Sequence, residues 1–520
     1  MKKALVVFLM LALVSSVFAA EPVADVKIAE FSGNASVQWG VNLDSGKTGF
    51  LNAYEVVFKL NLLNNGTKST TGDGVWGELV LKTDDDTFIG WKNTENSDGK
   101  FNANKGMQDG KNLGLKVFVD VAKIHLGPAY IGIKRGDTQT GELKMDAAIR
   151  SSDDDQAKWL SNVGPDKFSQ GIVVGFANDM FGIDVDLRSY AVDKTDSTDI
   201  VNQYTGAYAF AGEAEFKGVE NLSIKAGASY NFSDKFYANT ASDTSASLDT
   251  VLGYSASAGY KLALNDTYYI RPQVGFAGAN SKTDANNSKS GMAMAFGVLF
   301  GWGEIGMDKN ADVAFLDDDM AKKVSPGVGV VAYVPFKGTS KVAGVSSDAE
   351  QLYTARIMPS FFSGEIVKNL TAAAYGDIVV MNDKYPTVAN KDMGMAFVLS
   401  AKYAIPVDAM TITPNAGVRF ANASYADNYK DFGEADDGVF GKKDGTYKLS
   451  MGDQKTKTGS ALFDGNFMNI KAGVDVAGLI SNTTLSVIYE SANVLNSLEA
   501  ASGANVSKLG TLNFKAKIAL

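Results

Sequence analysis

The chain reads as all-β: a large antiparallel transmembrane β-barrel of roughly 14–20 strands, within the known size range of such barrels. Three observations point there. Apolar and polar residues alternate with period two along most of the chain. From about Tyr204 onward, short turns and long polar loops alternate between those strands. No apolar run is long enough for a membrane helix, although the first residues form an export signal.

The alternation comes first. In the segment from Leu222 to Phe232, Leu222, Ile224, Ala226, Ala228, Tyr230 and Phe232 share one face, opposed by Ser223, Lys225, Gly227, Ser229 and Asn231. Phe210, Gly212, Ala214 and Phe216 oppose Ala211, Glu213, Glu215 and Lys217. Met468, Ile470, Ala472, Val474 and Val476 oppose Asn469, Lys471, Gly473 and Asp475. A helix would repeat at three and four; period two gives each strand one oily side and one wet side. A sandwich or a barrel can use such strands. The second face is repeatedly small (Ala293, Ala295, Gly297) or charged in mid-strand (Lys225, Arg271, Lys471, Lys517), as a watery barrel interior requires.

The connections come second. Short ones at 217–221, 264–266, 405–410 and 478–482 alternate with long ones at 233–249, 278–290, 425–465 and 492–507. Membrane barrels have short turns on the periplasmic side and long loops outside. The segment Gly303 to Ser325 is long for its expected periplasmic place and has room for a short helix. Before about Ala157 the alternation of loop lengths is lost, although strands are legible at "ASVQWGVNL", "AYEVVFKLNLL", "GVWGELVLK", "TFIGW", "LGLKVFVDVA" and "YIGIKR". Three segments are expected: a signal peptide at 1–19, an N-terminal β region at 20–203 that is part of the barrel or periplasmic, and a C-terminal barrel region at 204–520. The last strand, with Leu512, Phe514, Ala516 and Ile518 against Lys515 and Lys517, is expected to pair with the first and close the barrel.

Composition excludes several functions. Lys2 and Lys3, the apolar Ala4 to Val14 and the small Val17 and Ala19 form the signal. The chain has no cysteine, hence no disulfide framework and no thiolate metal site. Its net charge of −10 argues against nucleic acid as a partner. A mean hydropathy of −0.06 suits a barrel, in which only alternate residues meet lipid. Aromatics at strand ends, among them Trp39, Trp76, Trp91, Trp302, Tyr268, Tyr269, Tyr403 and Tyr489, are candidates for interfacial girdles or for ordinary packing on a sheet.

No constellation speaks for catalysis. The single histidine, His125, makes neither a relay nor a histidine metal site and is expected to be structural or solvated. Three aspartate triplets, Asp84 to Asp86, Asp153 to Asp155 and Asp317 to Asp319, lack calcium-loop spacing and read as solvated loops. The run from Ser325 to Gly338 has Gly327 and Gly329 but no Lys-Ser/Thr pair, so it reads as a strand rather than a phosphate loop. No cofactor is expected, and the chain is expected not to be an enzyme.

The N-terminal stretch from Asp25 to Leu63, followed by Gly74 to Lys82, resembles the treponemal major outer sheath protein family, the Tpr and Msp proteins. The resemblance rests on Trp39 to Leu43, the Gly49–Phe50 turn and the strand containing Trp76 to Leu79, with a further likeness at Pro326 to Gly338. It implies an outer-membrane porin of a spirochaete, often trimeric, with variable surface loops. It also implies major antigens and adhesins for host extracellular-matrix proteins. In some members the N-terminal region is proposed to be periplasmic; the alternative is one barrel from the whole mature chain.

Joined to the alternation, this gives the expected function: passive diffusion of small hydrophilic solutes and ions through a water-filled lumen in the outer membrane, with outer-membrane lipid outside. Glu213, Glu215, Lys225, Arg271, Lys471, Asp475, Lys515 and Lys517 are the expected pore-lining residues. Both signs occur among them, so weak ion selectivity is expected. The competing reading is a surface adhesin or structural array protein, with the loop from Tyr425 to Gly465 as its contact region.

Overall fold

The computed structural model describes residues 29–43, 46, 48–63, 75–83, 94–95, 101–102, 117–134, 171–189, 208–232, 250–282, 285–302, 326–348, 353–364, 366–382, 392–422, 424–425, 467–491, 494–495 and 509–519. The expected signal peptide, the aspartate triplets, Trp91 and Leu520 lie outside them, as does all of the segment from Gly303 to Ser325.

Among the described residues, twenty antiparallel strands close on themselves. In order they are β1 (Ala29–Asn42), β2 (Thr48–Leu63), β3 (Val75–Thr83), β4 (Val117–Leu126), β5 (Ala129–Lys134), β6 (Gly171–Ala177), β7 (Phe181–Ser189), β8 (Tyr208–Phe216), β9 (Leu222–Phe232) and β10 (Thr250–Tyr260). They continue as β11 (Tyr268–Lys282), β12 (Ser288–Trp302), β13 (Gly327–Val342), β14 (Tyr353–Phe362), β15 (Leu370–Met381), β16 (Gly394–Tyr403), β17 (Met410–Ala421), β18 (Phe467–Ala477), β19 (Thr483–Glu490) and β20 (Thr511–Ala519). Short stretches at Leu262–Ala263, Val345–Asp348 and Ile405–Val407 extend this sheet, and a separate two-stranded ribbon joins Thr94–Glu95 to Phe101–Asn102. Each strand pairs with its sequence neighbour, and β1 pairs with β20 from Asn34↔Ala519 to Asn42↔Thr511. Closure satisfies every edge, which lipid demands of a spanning sheet.

The pairing runs unbroken from the N-terminal region into the rest: β7 pairs with β8 from Tyr208↔Ser189 to Phe216↔Phe181. Loop parity also holds through the N-terminal strands. Connections at one rim are 127–128, 178–180, 217–221, 261–267, 363–369, 404–409 and 478–482, with longer ones at 64–74 and 303–326. The other rim carries 84–116, 135–170, 190–207, 233–249, 343–352, 382–393, 422–466 and 491–510, with shorter ones at 43–47 and 283–287. The loss of alternation expected before about Ala157 is not found: β3 pairs directly with β4, while the expected strand "TFIGW" lies outside the described residues. Two tight turns, the second beyond Ala157, join β4 to β5 and β6 to β7. Gly127 has φ +61° and turns the chain within two residues. The Asn178 side-chain oxygen accepts the N–H groups of Met180 and Phe181, closing the second turn. Likewise, the expected long loop at 278–290 is mostly strand, because β11 and β12 stay paired out to Lys282↔Ser288.

The short turns have a chemical signature. Asn221, Asn369, Asp408 and Asn482 take the left-handed conformation there, with φ from 50° to 66°. Asn and Asp tolerate that region better than other non-glycine residues, which is why they end these turns.

Candidate functional site

The exterior and interior are read from strand alternation. Large apolar side chains stand exposed on one face all round the barrel: Ile131, Ile172, Ile183, Phe210, Phe276, Phe296, Val330, Leu399, Val474 and Phe514 among them. In water such a continuous band would be unstable; it fits hydrocarbon. Near the short-turn rim the band ends in aromatics. Tyr268 and Phe300 stack at 5.8 Å, Trp302 lies 6.3 Å from Phe361, and Phe181 lies 5.2 Å from Phe216. Trp76 and Tyr269 do not join such a girdle; they are buried on the inner face, at 4% and 2% exposure. Alternation decides this, since Tyr268 and Tyr269 must point to opposite sides.

All eight charged residues expected to line a pore lie on the strand face opposite the exposed apolar band. Glu215 and Lys225 are direct partners across β8 and β9, 3.8 Å apart, and Lys217 bonds the same carboxylate at 3.0 Å. Glu213 lies opposite Asp184 of β7. Arg271 shares the inner face of β11 with Gln273, and on β18 Asp475 accepts a hydrogen bond from the Asn415 amide at 3.0 Å. Lys471 pairs in register with Glu490, and Lys515 and Lys517 with Gln38 and Ser36 across the closing seam.

Several inner-face residues had not been singled out. Lys59 and Glu78 form an ion pair at 3.0 Å; the His125 ring stacks on Trp76 at 3.7 Å, with its Nε2 3.8 Å from Glu78. The lone histidine, expected to be structural or solvated, is thus packed against Trp76 on the inner face. Lys123 sits over the Tyr130 ring, 4.1 Å from its centroid. Asp184 and Asp186 share the inner face of β7, and Arg419 and Lys402 those of β17 and β16. Period two places all of these, and counting parity along each strand would have found them.

One sector of the inner wall departs from the wet surface expected. On β11–β14, Tyr269, Ala277, Ala293, Ala295, Leu299, Val331, Tyr333 and Met358 form a fully buried apolar cluster. The small residues at 293 and 295 therefore serve packing. Gly301 plays the same part: a Cβ there would meet the Tyr269 ring at 2.1 Å.

Beside this cluster lies a buried charged node. Arg356 on β14 and Asp377 on β15 are both 0% exposed. Arg356 Nε donates to Asp377 Oδ1 at 2.7 Å, Nη2 donates to Oδ2, and the Tyr425 hydroxyl donates to the same Oδ2 at 2.6 Å. Tyr425 had been expected in an outer contact loop. It is instead fully buried, because its hydroxyl completes the bonding of a carboxylate inside the barrel.

A closed, even-stranded barrel with an apolar exterior and a polar, charged inner face is an outer-membrane β-barrel protein. No family model matches the chain. Two relatives match along its whole length. The major surface protein MspTL of Treponema lecithinolyticum is 28% identical, covering 99% of this chain and 96% of its own. The major outer membrane protein MspA of Treponema maltophilum is 27% identical, covering 100% of both. The chain is thus similar along its whole length to two treponemal Msp proteins, in line with the resemblance around Trp39 and Trp76. Solved structures align loosely: OprD of Pseudomonas aeruginosa at TM-score 0.33 with 9% identity, covering 96% of this chain and 97% of that one. OccAB2 of Acinetobacter baumannii aligns at 0.35 with 10%, covering 95% and 98%.

Proposed function

We propose that the barrel is a porin through which small hydrophilic solutes and ions diffuse passively. The observation that carries this is the inner face: charged side chains of both signs recur along it from β2 to β20, where lipid-facing positions are apolar. Charge inside a spanning barrel is expensive unless water reaches it. Purified protein in planar bilayers tests the reading. Stepwise single-channel currents are expected; a folded, heat-modifiable barrel that never conducts would exclude it.

A second reading, display of loops at the cell surface, is favoured by the concentration of long connections at one rim, at 84–116, 135–170 and 422–466. The name of the Treponema lecithinolyticum relative, a surface protein, agrees. The two functions are compatible. Binding of the intact barrel to immobilised matrix proteins, lost after proteolytic trimming of that rim, tests it. Assembly as a trimer, which the family resemblance implies, is open to cross-linking in native membranes.

A further inference from the structure

We propose that the short-turn rim is itself a lipid-contacting surface. The apolar tips of its turns, Met180, Val219, Leu264, Val367, Leu479 and Ile480, enter the boundary between headgroups and acyl chains of the leaflet they meet. The inference goes beyond the porin reading and does not depend on it, since a barrel that never conducts would seat itself in the same way.

The outward face is longer than the hydrocarbon it has to match. On β16 and its extension at Ile405–Val407, every outward position from Met395 to Val407 is apolar or aromatic. At about 3.3 Å per residue and a tilt of about 40°, that run covers roughly 30 Å of the membrane normal. The apolar band of a membrane barrel is about 25 Å tall. The surplus falls at the short-turn rim. At the other rim the same face turns polar, with Asn280 and Lys282 on β11 opposite Ser290 and Ser288 on β12. At the short-turn rim it stays apolar into the turns. Ile405 pairs with Ile412, Val407 with Met410 and Leu262 with Ile270, and Val367 bridges to Leu370.

The tips beyond these pairs are exposed at one turn after another. Met180, Val219, Leu264, Ile366, Val367, Leu479 and Ile480 are 48–64% exposed. A Cβ at Gly218 would lie 2.7 Å from the Phe216 ring and 3.2 Å from the Met180 methyl, so the Met180 tip lies beside the aromatic girdle. Lipid is the occupant these tips fit, because they continue, through paired positions, a face that already meets hydrocarbon. Exposed charges of both signs sit among them, Lys217, Glu220, Asp266 and Lys368, which suits a zwitterionic headgroup layer.

A turn that enters lipid must satisfy its own backbone. The side-chain oxygens of Asn178 and Asn265 each accept two backbone N–H groups, at 2.7–2.9 Å. Leu222 N–H donates to the Val219 carbonyl and Thr483 N–H to that of Ile480, both at 3.1 Å. Neighbouring turns are laced together as well. The carbonyls of Asn221, Asn369 and Asn482 accept the N–H groups of Lys261, Ala404 and Ala519, each at 2.8 Å, and the Met180 carbonyl accepts that of Lys217 at 2.7 Å. All three asparagines are in the left-handed conformation. The rim therefore offers lipid its side chains while these backbone groups stay paired.

The chain has no native cysteine, so single thiols can be placed at will. Full-length barrels carrying Val219→Cys, Leu264→Cys or Leu479→Cys are labelled with the fluorophore NBD and reconstituted in phosphatidylcholine vesicles. Lys282→Cys, on the polar continuation of the same face, is the aqueous control. Only barrels that keep their heat-modifiable gel shift are measured. The tip labels are expected to emit to the blue of the control. They should be quenched about twofold more by a lipid with a shallow doxyl group than by iodide in the water, as a site at the headgroup–acyl boundary requires. The control should show the reverse order. Tip labels that iodide quenches as well as it quenches the control would overturn the proposal and would leave the apolar tips as a surface for a protein partner. Absence of channel conductance would bear on the porin reading alone.

Discussion

Trp39 of β1 and Phe514 of β20 face each other across the seam that closes the barrel, with ring centroids 5.5 Å apart and planes tilted by 39°. The two residues are remote in sequence, so their contact forms only when the last strand meets the first. On the lipid side the gain is packing rather than burial from water, because lipid tails are as apolar as the rings. Phe514→Ala is therefore expected to cost about 0.5–1.5 kcal/mol, the worth of an aromatic pair beyond its area. It should lower the temperature at which the folded band on a gel converts to the unfolded one. An unchanged transition would mean that this pair does not help hold the seam.

The node at Arg356 and Asp377 predicts an asymmetry between breaking a pair and replacing it. Asp377→Asn leaves a buried guanidinium without its counter-ion and is expected to cost about 3–5 kcal/mol. The double change Arg356→Met/Asp377→Leu removes both charges and should cost much less, as apolar replacements of buried pairs often do. Urea unfolding from vesicles separates the two. Equal destabilisation would show that the pair is held for the bonds it makes elsewhere, Tyr425 included.

How much of this was legible beforehand follows from physical range. The inner-face charges were, because period two is a local property: reading Glu213 against Phe210 or Lys471 against Ile470 needs only one strand. The turns were legible where they were long enough to interrupt the pattern. β4 and β5 were still legible as separate strands across Gly127–Pro128, a turn signal in itself, whereas Asn178–Met180 is so short that β6 and β7 do not separate by composition. The Arg356–Asp377–Tyr425 node was not legible. It joins three segments, and the inner face of β14, with Met358, Ser360 and Phe362 beside Arg356, carries no local sign of a partner.

Topology across the membrane has a direct test. Rims with short and long connections are expected to be periplasmic and external. Single cysteines at Thr240 and Gly445, in long-rim connections outside the described residues, should react with an impermeant maleimide on intact cells. Cysteines at Asn221 and Asn265, in short turns, should react only after the envelope is opened. The reverse pattern would invert the barrel.

The last prediction concerns ion selectivity. Acidic residues gather on β7 and β8, where Asp184, Asp186, Glu213 and Glu215 share the inner face. Lysines gather on β18 and β20, with Lys471, Lys515 and Lys517 outnumbering Asp475 and Glu490 on the same wall. In a closed sheet of twenty strands, β8 and β18 are ten strands apart and therefore opposite. Partial cancellation is local too, since Lys225 and Lys217 both reach Glu215. The wild type should then discriminate weakly between potassium and chloride, with each wall biasing its own ion. Asp184→Asn/Glu213→Gln should move the reversal potential toward anions, and Lys515→Gln/Lys517→Gln toward cations. Both shifts should shrink in concentrated salt, where the Debye length falls to about 3 Å at 1 M. Strong wild-type preference for one sign, or variants that shift the same way, would show that the two walls do not act as separate fields.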